Sequence, residues 1–135
     1  MSARKIKTRP ENPDSVREYL KKAADNHSQM LLALDSENSN AASTLAVQCA
    51  ISSADAICVY ELGMRSVSQD HRDVCDLVRS ITLNEAAEKS NALKRIIAKK
   101  HLVQYESRSI THGEAKDMVK WASRFYRWVV SVAEK

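Results

Sequence analysis

Glycine and proline are scarce in this chain, which has two residues of each among 135. Few residues are therefore suited to the many tight turns of a protein built from short strands. Apolar residues make up 44% of the chain and recur at intervals of three and four residues, as on one face of an α-helix. The sequence therefore predicts an all-α protein, and its length fits one compact domain and excludes a two-domain enzyme.

Cysteine is also rare, and its three residues include no CxxC pair. Cys49 and Cys58 would lie roughly 13 Å apart along one helix axis, too far apart for a disulfide, so we predict reduced thiols for them and for Cys75.

An apolar run of the ~20 residues that span a membrane is missing. The basic N-terminus is followed by polar residues and Pro10, unlike a signal peptide. These features predict a cytoplasmic protein that does not contact a membrane.

The excess of positive charge is small and unevenly distributed. The chain has 21 Lys and Arg against 17 Asp and Glu, a net charge of +4. Residues 1–12 hold four basic side chains against one acidic, which is +3, so residues 13–135 carry only +1. We therefore expect residues 1–12 to form a disordered basic tail and residues 13–135 to form a single helical bundle domain. The charge alone does not identify a partner.

Five helices are predicted, arranged as an up-and-down antiparallel bundle. The first begins near Pro13, with Asn12 as its N-cap. The second covers about residues 40–62 and ends at Gly63, because glycine most readily adopts the left-handed conformation at a helix C-terminus. Ser68 is suited to cap a short third helix.

Two capping boxes, in which a hydroxyl residue is followed three positions later by a carboxylate, predict the last two helix starts. They are Thr82 with Glu85 and Thr111 with Glu114. The fourth helix is expected to run to about Glu106. Connections of about four to six residues then favour antiparallel neighbours.

Lys100 is the most unusual residue of the fourth predicted helix, because it projects from the middle of an apolar stripe. A charge aimed at a core must be paired, reach the rim of the bundle or lie in a cleft. Glu61 and Asp55 lie within and at the edge of the apolar face of the second helix, so either could pair with Lys100. Two interpretations stay open: these charges reach the rim, or they line a functional cleft that also includes Tyr105.

The fifth predicted helix has an apolar side and a basic side. Its basic residues are Lys116, Lys120, Arg124 and Arg127. Trp121 and Trp128 lie at the border between the two sides. Lys120, Arg124, Arg127 and Trp128 could bind phosphate and stack a base, as in readers of single-stranded nucleic acid. Alternatively the tryptophans complete the core or a dimer interface while the lysines face solvent.

Residues for catalysis or metal binding are few. The chain has no Gly-rich phosphate loop, no HExxH motif, no nucleophile elbow and no Cys/His ligand pair, so we predict no cofactor and no metal. His27 lies on the apolar stripe of the first helix without a second ligand nearby, which favours a hydrogen-bonded core histidine.

Arg95 and His101 could divide the work of RNA cleavage. They lie about 120° apart on a helix, so they would converge only across a dimer or a helix bend.

A family resemblance rests on the order of four segments. They are SSADAICVYELG (52–63), HRDVCDLV (71–78), LKRIIAKKHLVQYES (93–107) and ITHGEAKDMVKWASRFYRWV (110–129). Over roughly residues 40–133 the chain resembles the HEPN superfamily. The resemblance implies a five-helix up-and-down bundle that is usually a homodimer. It also implies an association with RNA cleavage, with toxin–antitoxin systems and with nucleotidyltransferase partners.

The resemblance also suggests which branch of the superfamily applies. Members that cleave RNA have an Arg and a His shortly before a Tyr; aligned on Tyr105, those positions here are Ala98 and Val103, which are apolar. Another branch has a basic residue five positions before the Tyr and no His, and Lys100 matches it. The preferred hypothesis is a HEPN-like module without catalysis of its own that binds a protein or nucleic acid. The alternatives are a metal-independent ribonuclease using Arg95 and His101 across a dimer, and a purely structural association domain.

Overall fold

This computed structural model describes residues 5–134 of the chain. These residues form five helices and two short strands, joined by turns and loops. The helices are α1 (Ser15–Asp35), α2 (Ser39–Leu62), α3 (Arg72–Arg79), α4 (Ala86–Tyr105) and α5 (His112–Ala133). The strands are β1 (Thr8–Pro10) and β2 (Met64–Ser66). The predicted all-α class is confirmed, with this small sheet as an addition.

The long helices alternate in direction along the chain, with α2 and α5 as the central pair. Both begin at the same end of the bundle, because the Oδ1 atom of Asn40 accepts a hydrogen bond of 3.0 Å from the backbone N–H of Ile110. At the opposite end, Tyr60 of α2 and Ala133 of α5 line one open groove. α1 packs against one side of the central pair and α4 against the other, while α3 packs on α4 and α2.

α2 is the most deeply buried helix. Its Ala46, Ala50 and Ala54 are fully buried, and their small side chains let the neighbouring helices approach closely. The larger core side chains come from all four long helices, among them Met30 of α1, Ile57 of α2, Leu93 of α4 and Phe125 of α5. α2 is long and apolar enough to cross a membrane, contrary to the expectation that no such segment exists, but 72% of its most apolar stretch is buried inside the protein.

Two predicted helix ends are confirmed. Gly63 follows α2 with a φ of 69°, in the left-handed region, and its N–H donates to the carbonyl oxygen of Val59. At the start of α5, the Thr111 hydroxyl accepts from the Glu114 N–H at 3.1 Å, and the Glu114 carboxylate accepts from the Thr111 N–H at 3.0 Å. The residues of this capping box therefore satisfy two backbone donors that the helix leaves free.

Three other predicted helix starts are shifted. α4 begins at Ala86, and neither Thr82 nor Glu85 forms a side-chain cap, so the prediction of a capping box there is wrong. Ser68 is not the cap of α3, because its hydroxyl accepts from the N–H of Asp70 in the preceding turn. Asn12 likewise accepts from the N–H of Asp14, which places it in the turn just before α1.

The prediction of a disordered tail is wrong for the described part of residues 1–12. β1 pairs antiparallel with β2, with Thr8 opposite Ser66 and Pro10 opposite Met64. The N–H of Glu11 also donates to the carbonyl oxygen of Gly63 at 3.0 Å. Residues 1–4 of the predicted tail lie outside the described residues.

Candidate nucleic-acid interface

The two halves of the bundle differ in charge. α4 and α5 together contain nine Lys and Arg against three Asp and Glu. α1 and α2 contain three against five. Positive charge in the folded domain is therefore concentrated on α4 and α5, although residues 13–135 as a whole are nearly neutral. This asymmetry, which the total charge hides, directs attention to the exposed sides of these two helices.

The exposed side of α5 carries the cations predicted from the sequence. Lys116, Lys120, Arg124 and Arg127 all face solvent. Their helical spacing spreads them over about 16 Å along the axis. Among residues 5–134, no carboxylate lies within ion-pair distance of any of the four. These charges are therefore available to an anionic partner.

Arg95 of α4 extends this surface. Its guanidinium carbon lies 5.3 Å from the centre of the Trp121 ring, and that ring is half-buried between α4 and α5. A cation over the face of an indole is attracted by the ring's negative face, so this contact directs Arg95 towards α5. We call Arg95, Lys116, Lys120, Arg124 and Arg127 together the basic face.

Trp128 does not belong to this surface. It is only 8% exposed, and its ring packs on Phe125 with ring centres 5.8 Å apart. The structure therefore agrees with the core alternative for Trp128. A side chain in this position is not available to stack on a base. Trp121 is the aromatic ring nearer to the cations, and its face is already covered by Arg95.

Lys100 does not form the pair considered above. It is half-buried, and no ion pair joins it to a carboxylate in the described chain. Asp55 instead pairs with Arg65, at 3.7 Å between Oδ2 and Nη1, and Glu61 is exposed. Lys100 lies near His71: burial lowers the pKa of His71, and the charges of His101 and Lys100 lower it further.

Asp55 belongs to a different cluster, between the strands and the first two helices. Burial raises its pKa to about 6, although Arg65 acts in the opposite direction. Glu11 Oε1 accepts hydrogen bonds from Arg9, Tyr19 and Arg65, at 2.9, 3.0 and 3.1 Å. Hydrogen bonds from Arg9 and Tyr19 contribute most to lowering the pKa of Glu11 to about 2. This cluster fixes the N-terminal segment to the bundle.

Arg95 and His101 face different neighbours within one chain. Arg95 lies over Trp121 of α5, whereas His101 lines an open groove between α3 and α4. A single chain therefore does not bring them to one substrate atom. Tyr105, at the end of α4, is 88% exposed and is the most exposed large apolar or aromatic side chain described.

His27 is hydrogen-bonded, as predicted, but it is half-buried at the edge of the core and not inside it. Its Nε2 atom lies 2.9 Å from the Ser123 hydroxyl oxygen, and its ring stacks on Tyr126 with ring centres 4.6 Å apart. Burial lowers the pKa of His27, with a smaller contribution from Arg127. Within residues 5–134, no group of three or more His, Cys, Asp or Glu is placed to hold a metal ion.

The three cysteines are free and buried. Burial raises the pKa of Cys49 and of Cys75 to about 12, and it also raises that of Cys58. A thiol needs to ionise to act as a nucleophile, so these residues are suited to packing rather than to chemistry.

No protein-family model, no curated protein and no solved structure matches this chain. Membership of the HEPN superfamily therefore stays a prediction from the order of the sequence segments. The candidate interface rests on its own geometry.

Proposed function

We propose that this chain is a helical binding module, without catalysis of its own, that binds nucleic acid through the basic face. One observation supports this proposal above the others: five cations share one surface of α4 and α5, and no described carboxylate pairs with any of them. Like charges on one surface repel one another, and a polyanion removes that repulsion. Binding also releases the counterions that are condensed on the phosphates of the nucleic acid, and this release favours the complex.

RNA is the class of nucleic acid that we propose, because the HEPN resemblance associates such bundles with RNA. The same resemblance adds a homodimer and a nucleotidyltransferase-type protein partner to the proposal, and a cytoplasmic location follows from the sequence expectation. Sedimentation equilibrium tests the oligomeric state, and a monomer at all concentrations would remove the homodimer. The basic face itself needs no second subunit, since all of its residues come from one chain.

The decisive experiment measures the affinity for a fluorescent single-stranded RNA by anisotropy, in EDTA and over a series of salt concentrations. We compare the wild-type chain with a Lys120→Gln, Arg124→Gln double variant, which removes two charges spaced one helical turn apart. If both side chains contact phosphates, the slope of log affinity against log salt falls by about 1.4, since each phosphate contact contributes about 0.7 with single strands.

The matched control is an Arg17→Gln, Lys21→Gln double variant. It removes two charges at the same spacing from the exposed side of α1, where Lys21 makes only a surface ion pair with Asp25. A general charge effect would change both double variants equally and would contradict the proposal. So would an affinity for RNA that is absent or independent of salt.

A further inference from the structure

The basic face has no aromatic ring that is free to stack on a base. The chain contains two Trp, four Tyr and one Phe, all of them in its described part. Phe125 and Trp128 are buried, and the half-buried ring of Trp121 is covered by Arg95. Proteins that bind single strands without sequence preference stack successive bases on exposed rings. The basic face lacks this source of affinity.

The four tyrosines belong to other surfaces. Tyr19 and Tyr60 lie on α1 and α2, and Tyr126 is stacked on a histidine of α1. Tyr105 is exposed at the end of α4, ten residues after Arg95. That separation is about 15 Å along the helix axis, with a turn of about 80° around it. A base held by Tyr105 would therefore lie away from Arg95.

The cations of α5 form a row on the outer side of the helix. Lys116, Lys120, Arg124 and Arg127 extend over about 16 Å of its length. Neither of the two grooves described above is lined by any of them or by Arg95. A single strand is usually bound in a positively charged groove that follows its flexible backbone. A row of cations on an outer helix surface suits a ligand whose phosphates already have fixed positions.

A double helix is such a ligand. Its two strands place about nine phosphates along about 16 Å of axis, at roughly 1.7 Å per charge. These phosphates are in place before binding, whereas a flexible single strand must be ordered on the protein, which costs free energy. On the basic face no stacked base would offset that cost.

We propose that the basic face binds the backbone of double-helical RNA, independently of its base sequence. This inference rests on the proposed function and names the form of RNA that the face prefers. Its Lys and Arg side chains contact phosphates, and contacts to phosphates carry no information about the bases. A single strand remains a weaker ligand through the same cations.

Asp117 distinguishes contacts to phosphates from contacts to bases. It is exposed on α5, three residues before Lys120 and four before Trp121, so it lies among the cations. A carboxylate repels phosphate, but it can accept a hydrogen bond from the amino group of a base. If the face binds the backbone, Asp117→Ala should tighten duplex binding by about threefold, the usual effect of one exposed charge. If Asp117 contacts a base, the same substitution weakens binding.

The experiment compares three fluorescent RNA probes by anisotropy at one salt concentration. They are a strand of purines only, its complementary strand of pyrimidines, and the duplex that the two strands form. We expect the duplex to bind about tenfold more tightly than either strand. A second duplex of different sequence should bind within about twofold of the first. The matched control for Asp117→Ala is Glu18→Ala, which removes an exposed carboxylate from α1 and should change the duplex affinity less.

Some results would overturn this inference and leave the proposed RNA-binding module in place. They are a single strand that binds as tightly as the duplex, weaker duplex binding by Asp117→Ala, or a loss of affinity in Tyr105→Leu, which would show a base stacked on that ring. If no probe binds, or if the Lys120→Gln, Arg124→Gln variant keeps its full affinity for the duplex, the proposed function fails as well. Circular dichroism of each variant shows that the bundle is folded.

Discussion

Buried Asp55 and half-buried Arg65 form an ion pair across the chain reversal at Gly63, with 3.7 Å between Oδ2 and Nη1. Arg65 also donates to Glu11, and its guanidinium lies 5.6 Å from the centre of the Tyr19 ring. One arginine thereby joins β2 to β1, α1 and α2. Two carboxylates share it, and their pKa values are shifted in opposite directions.

The first prediction concerns the pH dependence of stability. Asp55 has a folded-state pKa of about 6, raised by burial from the ordinary value of 3.8, with Arg65, Glu11 and Lys22 as the charges that face it. A raised carboxyl pKa contributes stability that is fully present below pH 3.8 and is lost as the pH rises through about 6. The loss at pH 7 is about 3 kcal/mol. The lowered pKa of Glu11 acts mainly below about pH 4.5, whereas the lowered pKa values of His27 and His71 remove stability as the pH falls below about 6.5 and so act against Asp55.

An Asp55→Asn variant should therefore lose this dependence. We expect the free energy of urea unfolding of the wild type, relative to that of the variant, to be higher at pH 4.5 than at pH 7, because His27 and His71 contribute equally to both proteins. At pH 7 the variant should be at least as stable as the wild type, because Arg65 keeps its bond to Glu11. An equal dependence on pH in both proteins would show that the Asp55 carboxyl does not titrate in this range.

The second prediction concerns the N-terminal segment. Replacing Glu11 with Ala removes the acceptor of three side-chain hydrogen bonds that fix β1. We expect the segment to open more often while the bundle stays folded, and therefore faster cleavage by trypsin after Lys7. Glu18→Ala, on the exposed side of α1, is the control. Equal cleavage rates in the two variants would contradict a role of Glu11 in holding this segment.

The third prediction separates two sequence motifs of the same form. Thr111→Ala removes a hydroxyl that caps α5, which should lower the free energy of unfolding by about 1 kcal/mol. Thr82→Ala changes an exposed residue that caps no helix and should have almost no effect. Thermal unfolding monitored by circular dichroism measures both. Comparable losses in the two variants would mean that Thr82 stabilises α4 after all.

The fourth prediction concerns Arg95 and RNA cleavage. Arg95→Ala removes the cation over Trp121, which should cost about 0.5–1 kcal/mol and shift the tryptophan fluorescence to longer wavelength. RNA incubated with the wild-type chain in EDTA should stay intact. If the wild type cleaves RNA and both Arg95→Ala and His101→Ala abolish the cleavage, the ribonuclease alternative would replace our proposal.

The helices and several of their ends were predictable from the sequence because they depend on local patterns. Apolar spacing indicated five helices, and Gly63 and Thr111 act through residues within one turn of them. Thr82 has the same local pattern but fails as a cap. Leu83 packs against the core and Ile81 is buried, so tertiary contacts determine the backbone there. β1 was missed because a three-residue strand exists only with its partner.

The candidate surfaces were predictable only in part, for a similar reason. Helical periodicity placed Lys120 and Arg124 on one exposed side of α5. It also placed Lys100 on the apolar stripe of α4, but it could not show that His71 would be its neighbour. Likewise the partner of Asp55 is Arg65, which follows the reversal at Gly63 and lies on a strand that the sequence did not indicate.

The side chain of Asn40 has a consequence for the basic face. Its amide group bonds Ile110 through Oδ1 and Ser109 through Nδ2, just before α5 begins. These bonds tie the segment before α5 to the start of α2, and α4 leads into this segment through a six-residue turn. The connection between the two helices of the basic face is therefore anchored to the buried α2.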